Sequence, residues 1–436
     1  MGNHVDSGHR ARPALALVVL AASVCFSSQC QPETCRSEDP SCDPLSSLLV
    51  ARSLQCSYRT SWNRIGTTEG NPDGLVGITF STVIEDSDGV LYAAGEASDG
   101  ADLAVVMRSD NGGAFWTTEW THRPTVNTVA ITSLLKAPDG SLIAVGTHNP
   151  DGTNSEVFLA RKPSGGSFSV VSSYERQDGN VSRPLNAGMS PGGTVYAVGN
   201  AAVPADISGM LLSSGGDYTS LSPRTLFADA PNSVVFSALS AESDAQIILG
   251  GFVDLGASQD FMVGFSNSDG SYTSLVRDTM PCCVGDPELH DPADIYRLSN
   301  GNIILGLSPG GALPDLRPAV IEVQPDGQYF RTDVIAEPGA ATMLKIHGTS
   351  QVVSQFLPAG ATGTAQVSIR REGQTDFTVS FPANTDGLIL NDSADESIRL
   401  LETHMMPNGD LLLPVPVHNT LVASEPTWIY RLSCRQ

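Results

Sequence analysis

The sequence predicts an all-β chain, a seven-bladed β-propeller whose ring is closed by an N-terminal strand that completes the last blade. Three observations predict it. A turn dipeptide followed by a β-rich apolar run recurs seven times. A second marker, glycine then any residue then an aromatic, follows each of the first five about 25 residues later. The last repeat lacks a strand, and the start of the chain has one to spare.

The first-strand turns take the elements in order. The runs are DGVLYAAG at 88, DGSLIAVG at 139, GGTVYAVG at 192, DAQIILGG at 244, NGNIILGL at 300, HGTSQVVS at 347 and NGDLLLPV at 408. Counted on the second turn residue, the steps are 51, 53, 52, 56, 47 and 61. Asp-Gly, Asn-Gly and Gly-Gly tolerate positive φ and close tight hairpins; Asp244-Ala245 and His347-Gly348 are the weak members. The second marker is Gly113-Ala-Phe115, Gly166-Ser-Phe168, Gly216-Asp-Tyr218, Gly270-Ser-Tyr272 and Gly327-Gln-Tyr329, degraded to Gly373-Gln-Thr375 in the sixth unit. Two markers in constant phase give four short strands per unit of about 53 residues, long for the repeat of an open solenoid. The blades fall near 77–121, 127–176, 185–225, 233–278, 291–334 and 340–381, with 57–66 plus 397–434 as the seventh. Ser57 to Ile65 (SYRTSWNRI) is the borrowed strand. Cys56 at its start and Cys434 at the chain's end would then meet where other blades have a hairpin turn, which predicts a Cys56–Cys434 disulfide.

Ahead of this body, residues 1–30 read as an export signal. His9, Arg10 and Arg12 precede a short apolar stretch from Ala14 to Phe26, with small residues Ala21-Ala22-Ser23 for cleavage. Cys25 and Cys30 leave lipidation, in the manner of a bacterial lipoprotein, as the alternative. Residues 31–55 are a cysteine-containing tether. The expected address is therefore exported: extracellular, periplasmic or outer-membrane-anchored in a bacterium, with membrane contact only through an N-terminal lipid. Such a compartment favours disulfides.

Composition excludes other classes. With 24 basic and 47 acidic residues the net charge is −23, and three lysines (Lys136, Lys162, Lys345) cannot supply the clustered cations that phosphate backbones need. No HExxH, GxSxG, P-loop or dinucleotide fingerprint is present. The four tryptophans do not recur with the blades, and WD-repeat and kelch signatures are absent.

Ser109-Asp-Asn111-Gly-Gly113-Ala-Phe115-Trp116 resembles the Asp-box, or bacterial neuraminidase repeat, Ser-x-Asp-x-Gly-x-Thr-Trp, with Asn111 at the Asp place. The resemblance implies a structural turn between the third and fourth strands of a propeller blade. Residues 138–166 also resemble repeats of secreted bacterial propellers. Blade one, from Ile78 to Trp116, resembles the opening repeat of sialidases. Those enzymes grip a carboxylate with three arginines and use a Tyr–Glu pair with an Asp acid. Here Gly77, Ile78 and Thr79 stand where the first arginine is expected, and Ser98 stands at the Glu-x-Arg arginine. Asp99 or Asp102 could match the acid. Arg183 and Arg399, each ten residues before its turn marker, are the arginine candidates.

Loops at the opposite end from the turns hold the remaining candidates. Arg277 to Asp294 contains Cys282-Cys283, expected as a vicinal disulfide or as partners of Cys35 and Cys42. It also holds Asp286, Glu288, His290 and Asp291, weak ligands for a metal. His122, Arg123, His148, His290 and His418 are candidates for a binding face, each histidine expected in a solvent-exposed loop. No cofactor is expected, with a divalent cation such as calcium as the alternative. The functional expectation is a carbohydrate- or protein-binding module whose partner is a glycan or surface protein. A glycoside hydrolase of sialidase-like type with a degenerate active site is the alternative.

Overall fold

A computed structural model describes residues 57–435 except 59–60, 69–72, 87–88, 100, 125–128, 149–154, 176–181, 204–205, 230, 256–258, 280–289, 310–318, 334–340, 348–349, 360–361, 372–377, 383–403, 407–409 and 417–426. The signal, the tether and Cys56 lie outside the described residues, as do Cys282, Cys283, Asp286, Glu288, Arg399 and His418. Every regular element described is a β-strand.

β1 (Ser57–Tyr58) and β2 (Ser61–Thr67) come first. Five separate four-stranded antiparallel sheets follow in chain order. They are β3–β6 (Val76–Glu85, Leu91–Ser98, Asp102–Ser109, Thr117–His122), β7–β10 (Val129–Lys136, Leu142–His148, Glu156–Lys162, Ser169–Glu175) and β11–β14 (Ser182–Met189, Val195–Val203, Asp206–Ser214, Leu221–Phe227). Then come β15–β18 (Ser233–Ser240, Gln246–Asp254, Gln259–Asn267, Tyr272–Thr279) and β19–β22 (His290–Arg297, Ile303–Pro309, Ala319–Val323, Tyr329–Asp333). The rest are β23–β26 (Ala341–His347, Ser350–Ala359, Thr362–Arg371, Thr378–Pro382), β27 (His404–Met405), β28 (Leu411–Pro416), β29 (Thr427–Leu432) and β30 (Cys434–Arg435). β23–β29 join β2 in one sheet of order β23-β24-β25-β26-β2-β29-β28-β27, and β30 pairs with β1 apart from it.

The turn dipeptides set each sheet's first hairpin. Gly89, Gly140, Gly193 and Gly301 all have positive φ, between 77° and 88°. In each, the glycine N–H donates to the carbonyl three residues back, as Gly89 does to Asp86 (3.1 Å). This is a three-residue loop ending in a left-handed residue, a longer loop than the dipeptide alone suggests. The preceding Asp or Asn accepts the next N–H, as Asp139 Oδ1 does from Ser141 (2.9 Å) and Asn300 Oδ1 from Asn302 (3.0 Å). Asp244, the weak member, is held instead by side chains: Ser190 donates to its Oδ1 at 2.5 Å and Tyr196 at 3.0 Å.

A second periodicity accompanies these turns. The first strand of each of the five sheets carries a β-bulge, at Ser81, Thr132, Leu185, Ser237 and Ala293, always eight residues before the turn marker. The bulge presses the first strand's backbone onto the second. A Cβ on Gly95 would meet the Thr79 carbonyl oxygen at 1.8 Å, and one on Gly251 the Val235 oxygen at 2.1 Å. The glycines of the YAAG and LGG runs therefore serve close approach rather than a turn.

Cores form between sheets. Alternate residues face opposite neighbours, so Tyr92, Ala94, Ala104 and Val106 of the first sheet share one core with Val129, Ile131 and Phe158 of the second. On its other side, Leu91, Ala93, Val105 and Met107 pack with Leu412 and Ile429 from the C-terminal strands. First strands neighbour one another in succession, β3 with β7, then β11, β15, β19 and β23.

The N-terminal segment departs from expectation in detail. It is two strands, not one. β2 pairs with β29 from Asn63↔Arg431 to Thr67↔Trp428, while Ser57 and Tyr58 pair with Arg435 and Cys434. The third strand of that sheet ends at Leu432, and Cys434 lies across from Tyr58 in a separate pairing. β2 also touches β26 in a parallel pairing, Ser61↔Phe381 and Trp62↔Pro382, which merges the last two expected blades into one hydrogen-bonded sheet.

Candidate functional site

Hairpin turns occupy one end of each of the five four-stranded sheets, so strand-two to strand-three loops and fourth-strand ends gather at the other. His122 is the last residue of β6, His148 the last of β8, and Glu156 the first of β9, directly across from His148. The histidines are thus strand ends from two adjacent sheets. They meet. His122 Nε2 lies 2.8 Å from His148 Nε2, and His148 Nδ1 lies 2.9 Å from Glu156 Oε2.

Both histidines are half-buried, contrary to the exposed loops expected for them, because aromatic side chains flank them. Two positions earlier on β6, and so on the same face, Trp120 stacks on His122 with centroids 5.3 Å apart and planes 4° from parallel. Phe158, two positions after Glu156, stacks on His148 at 4.6 Å. Trp120 in turn stacks on Phe168 of the next sheet at 5.5 Å. Burial, then the charge of His148, pushes the His122 imidazole below its ordinary value, with Glu156 acting oppositely. For Glu156, burial pushes up, but hydrogen bonds from Ser173 and His148 and the imidazole charges outweigh it and hold the carboxyl below its usual range. The result is a carboxylate–imidazole–imidazole chain on an aromatic floor.

Arg123, next in sequence, does not join this chain. It donates to Asp99 Oδ1 and reaches the Ala101 carbonyl at 3.5 Å. Both members of that ion pair are exposed. Asp102 opens β5, exposed, across from Ser98. The backbone sets Arg183 on β11 across from Asn200, and Asp291 on β19 across from Ser308, each two residues before its strand's bulge. His290 begins β19 across from Pro309. Among the described residues no group of three His, Cys, Asp or Glu is arranged to hold a metal.

The turn at the other end of the first sheet is held by its own side chains. Ser109 Oγ accepts from Gly113 N–H (2.9 Å) and bonds Asn111 Oδ1 (2.9 Å), while Asn111 Oδ1 accepts from Phe115 N–H (3.0 Å). Trp116 is buried, donates Nε1–H to the Gly113 carbonyl (2.9 Å) and packs on Phe80 at 5.3 Å. The polar atoms of Ser109, Asn111 and Trp116 are spent on the turn, which leaves these residues a structural role.

Reading residue types alone missed Glu156, Trp120 and Phe158. The available signal was spacing: Trp120 and His122 at i and i+2 on one strand, and His148 and Glu156 flanking a strand-two to strand-three loop.

No protein-family model and no curated protein matches the chain. Solved structures do. The polysaccharide lyase Uly1 is similar with a TM-score of 0.51 and 12% identity, over 88% of this chain and 95% of the other. The phage phi92 endosialidase is similar with a TM-score of 0.50 and 12% identity, over 86% of this chain and 70% of the other. Both likenesses concern fold. With its succession of four-stranded antiparallel sheets, the chain shares the β-propeller architecture of these proteins.

Proposed function

We propose that the chain is an exported seven-bladed β-propeller that binds carbohydrate at the loop end of its first two sheets. The observation that carries the reading is the Glu156–His148–His122 chain beside Trp120 and Phe158. The half-buried Trp120, His122 and His148 rings beside the Glu156 carboxylate suit a sugar, which presents apolar C–H faces and a rim of hydroxyls, while the fully buried Phe158 supports His148 from within the core. Two neighbours of like fold are a polysaccharide lyase and an endosialidase, which supports a sugar ligand. With a chain charge of −23 and Arg123 committed to Asp99, an uncharged glycan suits the site better than a polyanion.

Ring closure is the second part of the proposal. β2 behaves as a fourth strand: its bulge at Ile65 matches those at Glu119, Val171, Arg224 and Leu275, at steps of 51 to 54 residues. Thr427 N–H donates to Thr68 Oγ1 (2.9 Å) and Thr68 N–H to the Thr427 carbonyl (3.0 Å), while Thr427 Oγ1 donates to the Ile78 carbonyl of β3. That knot ties β2, β29 and β3 together.

A glycoside hydrolase or lyase is the second reading, favoured by the same chain: a carboxylate orienting one imidazole against another is an acid–base relay. One experiment separates the two. Wild type, His122→Ala and Glu156→Gln are screened on a glycan array and in parallel against a fluorogenic sialoside and neutral polysaccharides. Array binding without turnover, lost in both variants, is the expected result. Turnover lost in both variants replaces it with the enzyme reading, and binding unchanged by either variant removes the site.

A further inference from the structure

We propose that His122 and His148 form a bis-imidazole site for a divalent transition metal of the zinc class, seated between the first two sheets. The inference uses the same residues as the carbohydrate reading but does not depend on it, since zinc binding is tested with no glycan present.

It begins with a proton count. A neutral imidazole has one N–H and one lone pair. The Nδ1 of His148 faces the Glu156 carboxylate at 2.9 Å, which can only accept, so that nitrogen carries the hydrogen and Nε2 keeps its lone pair. The His122 Nε2 facing it at 2.8 Å must then lend a proton to the contact. If that hydrogen moves to His122 Nδ1, the two Nε2 lone pairs converge on one point and need a cation between them. A cation placed there takes the proton's position. With metal–nitrogen bonds of about 2.0–2.1 Å and a tetrahedral angle, the two nitrogens stand roughly 3.3 Å apart. The required opening is about half an ångström.

The surroundings match that use. Glu156 behind His148 makes the carboxylate–histidine–metal arrangement that fixes the ring's tautomer and raises its basicity. Trp120 stacked on His122 and Phe158 stacked on His148 restrain both rings. Two nitrogen donors select zinc, copper, nickel or cobalt over calcium, which wants oxygens. Since no third His, Cys, Asp or Glu among the described residues joins them, water completes the shell and the ion is exchangeable. One ligand comes from β6 and one from β8, so a bound ion bridges two sheets.

The test uses the full chain without reductant and without an affinity tag, titrated with zinc alone by calorimetry and with cobalt alone by visible absorption. We expect one ion per chain, a melting temperature that rises with zinc, and no competition from calcium. His148→Ala and His122→Phe, the latter keeping a ring against Trp120, should each abolish binding. Glu156→Gln should weaken it roughly 10- to 100-fold. If His122→Phe folds poorly, His122→Gln read by the cobalt spectrum takes its place. Absence of stoichiometric zinc binding overturns the proposal, and so does binding that survives both histidine substitutions.

Discussion

The two ends of the sheets are built on different principles. At the turn end, the same device recurs: a glycine with positive φ, an Asp or Asn closing onto the next amide, and a bulge eight residues upstream. At the loop end the histidine does not repeat: eight residues past the turn marker, where the second sheet has His148, the first has Ala97, the third Ala201 and the fourth Val253. Carboxylates do open the third strands of the first three sheets, at Asp102, Glu156 and Asp206, but only Glu156 stands across from a histidine. The turn end spends its polar groups on itself, whereas the loop end of the first two sheets turns a buried aromatic edge into a polar chain. Repetition marks what holds the fold, and its absence marks where a ligand can be chosen.

The largest expected effect tests the turn end. Trp116→Ala removes a buried ring packed on Phe80 and should cost about 3–5 kcal/mol. Denaturant unfolding should show the loss, while zinc or glycan affinity per folded molecule stays that of wild type. A loss of affinity without a loss of stability would merge the two ends into one functional unit. Next in size is Thr427→Val, nearly the same shape, which orphans the Ile78 carbonyl at the seam between the C-terminal strands and β3. It should cost about 1–3 kcal/mol. If the seam closes a ring, adding Thr68→Val should give less than the sum of the two single losses, because Thr68 and Thr427 share one knot. Additive losses would separate that knot into independent bonds.

The same contrast explains what the sequence disclosed. Strand succession was legible because hairpins need particular residues at particular places: Gly89, Gly140, Gly193 and Gly301 announce themselves by a backbone only glycine adopts cheaply. The first-strand bulges left only a partial residue signature: Ser81, Thr132 and Ser237 carry hydroxyls, and those of Ser81 and Thr132 donate to the carbonyls of Ala94 and Val145, but Leu185 and Ala293 carry none. A bulge is a property of pairing, and its other trace is the opposing glycine at 95, 146, 199 and 251. His122 and His148 were visible as residues, but their contact was not. It depends on how two sheets pack, and 26 positions separate the two in sequence. Glu156 was hidden for the same reason: a carboxylate at a strand start is ordinary until the pairing sets it across from His148.

Acid should expose the turn end by a smaller margin. Asp244 is pushed up by burial, yet hydrogen bonds from Ser190, Thr194 and Tyr196 and the charge of Arg224 hold it below its ordinary value of 3.8. Asp139 and Asp269 are also held low, by the Ser141 amide and by Ser271. A carboxylate whose value is lower folded than unfolded adds stability that is complete above the unfolded value and is lost as pH falls through the folded one. The window therefore opens below about pH 3.8. There the unfolded chain binds more protons than the folded one, and stability declines. Asp244→Asn gives up that contribution at neutral pH and has nothing further to lose at this site. Its stability should start lower than that of wild type and fall less steeply across the window, measured by denaturant midpoints at a series of pH values. Parallel curves for the two proteins would mean that Asp244 is no more anchored than an exposed carboxylate, and the one turn without glycine would need another support.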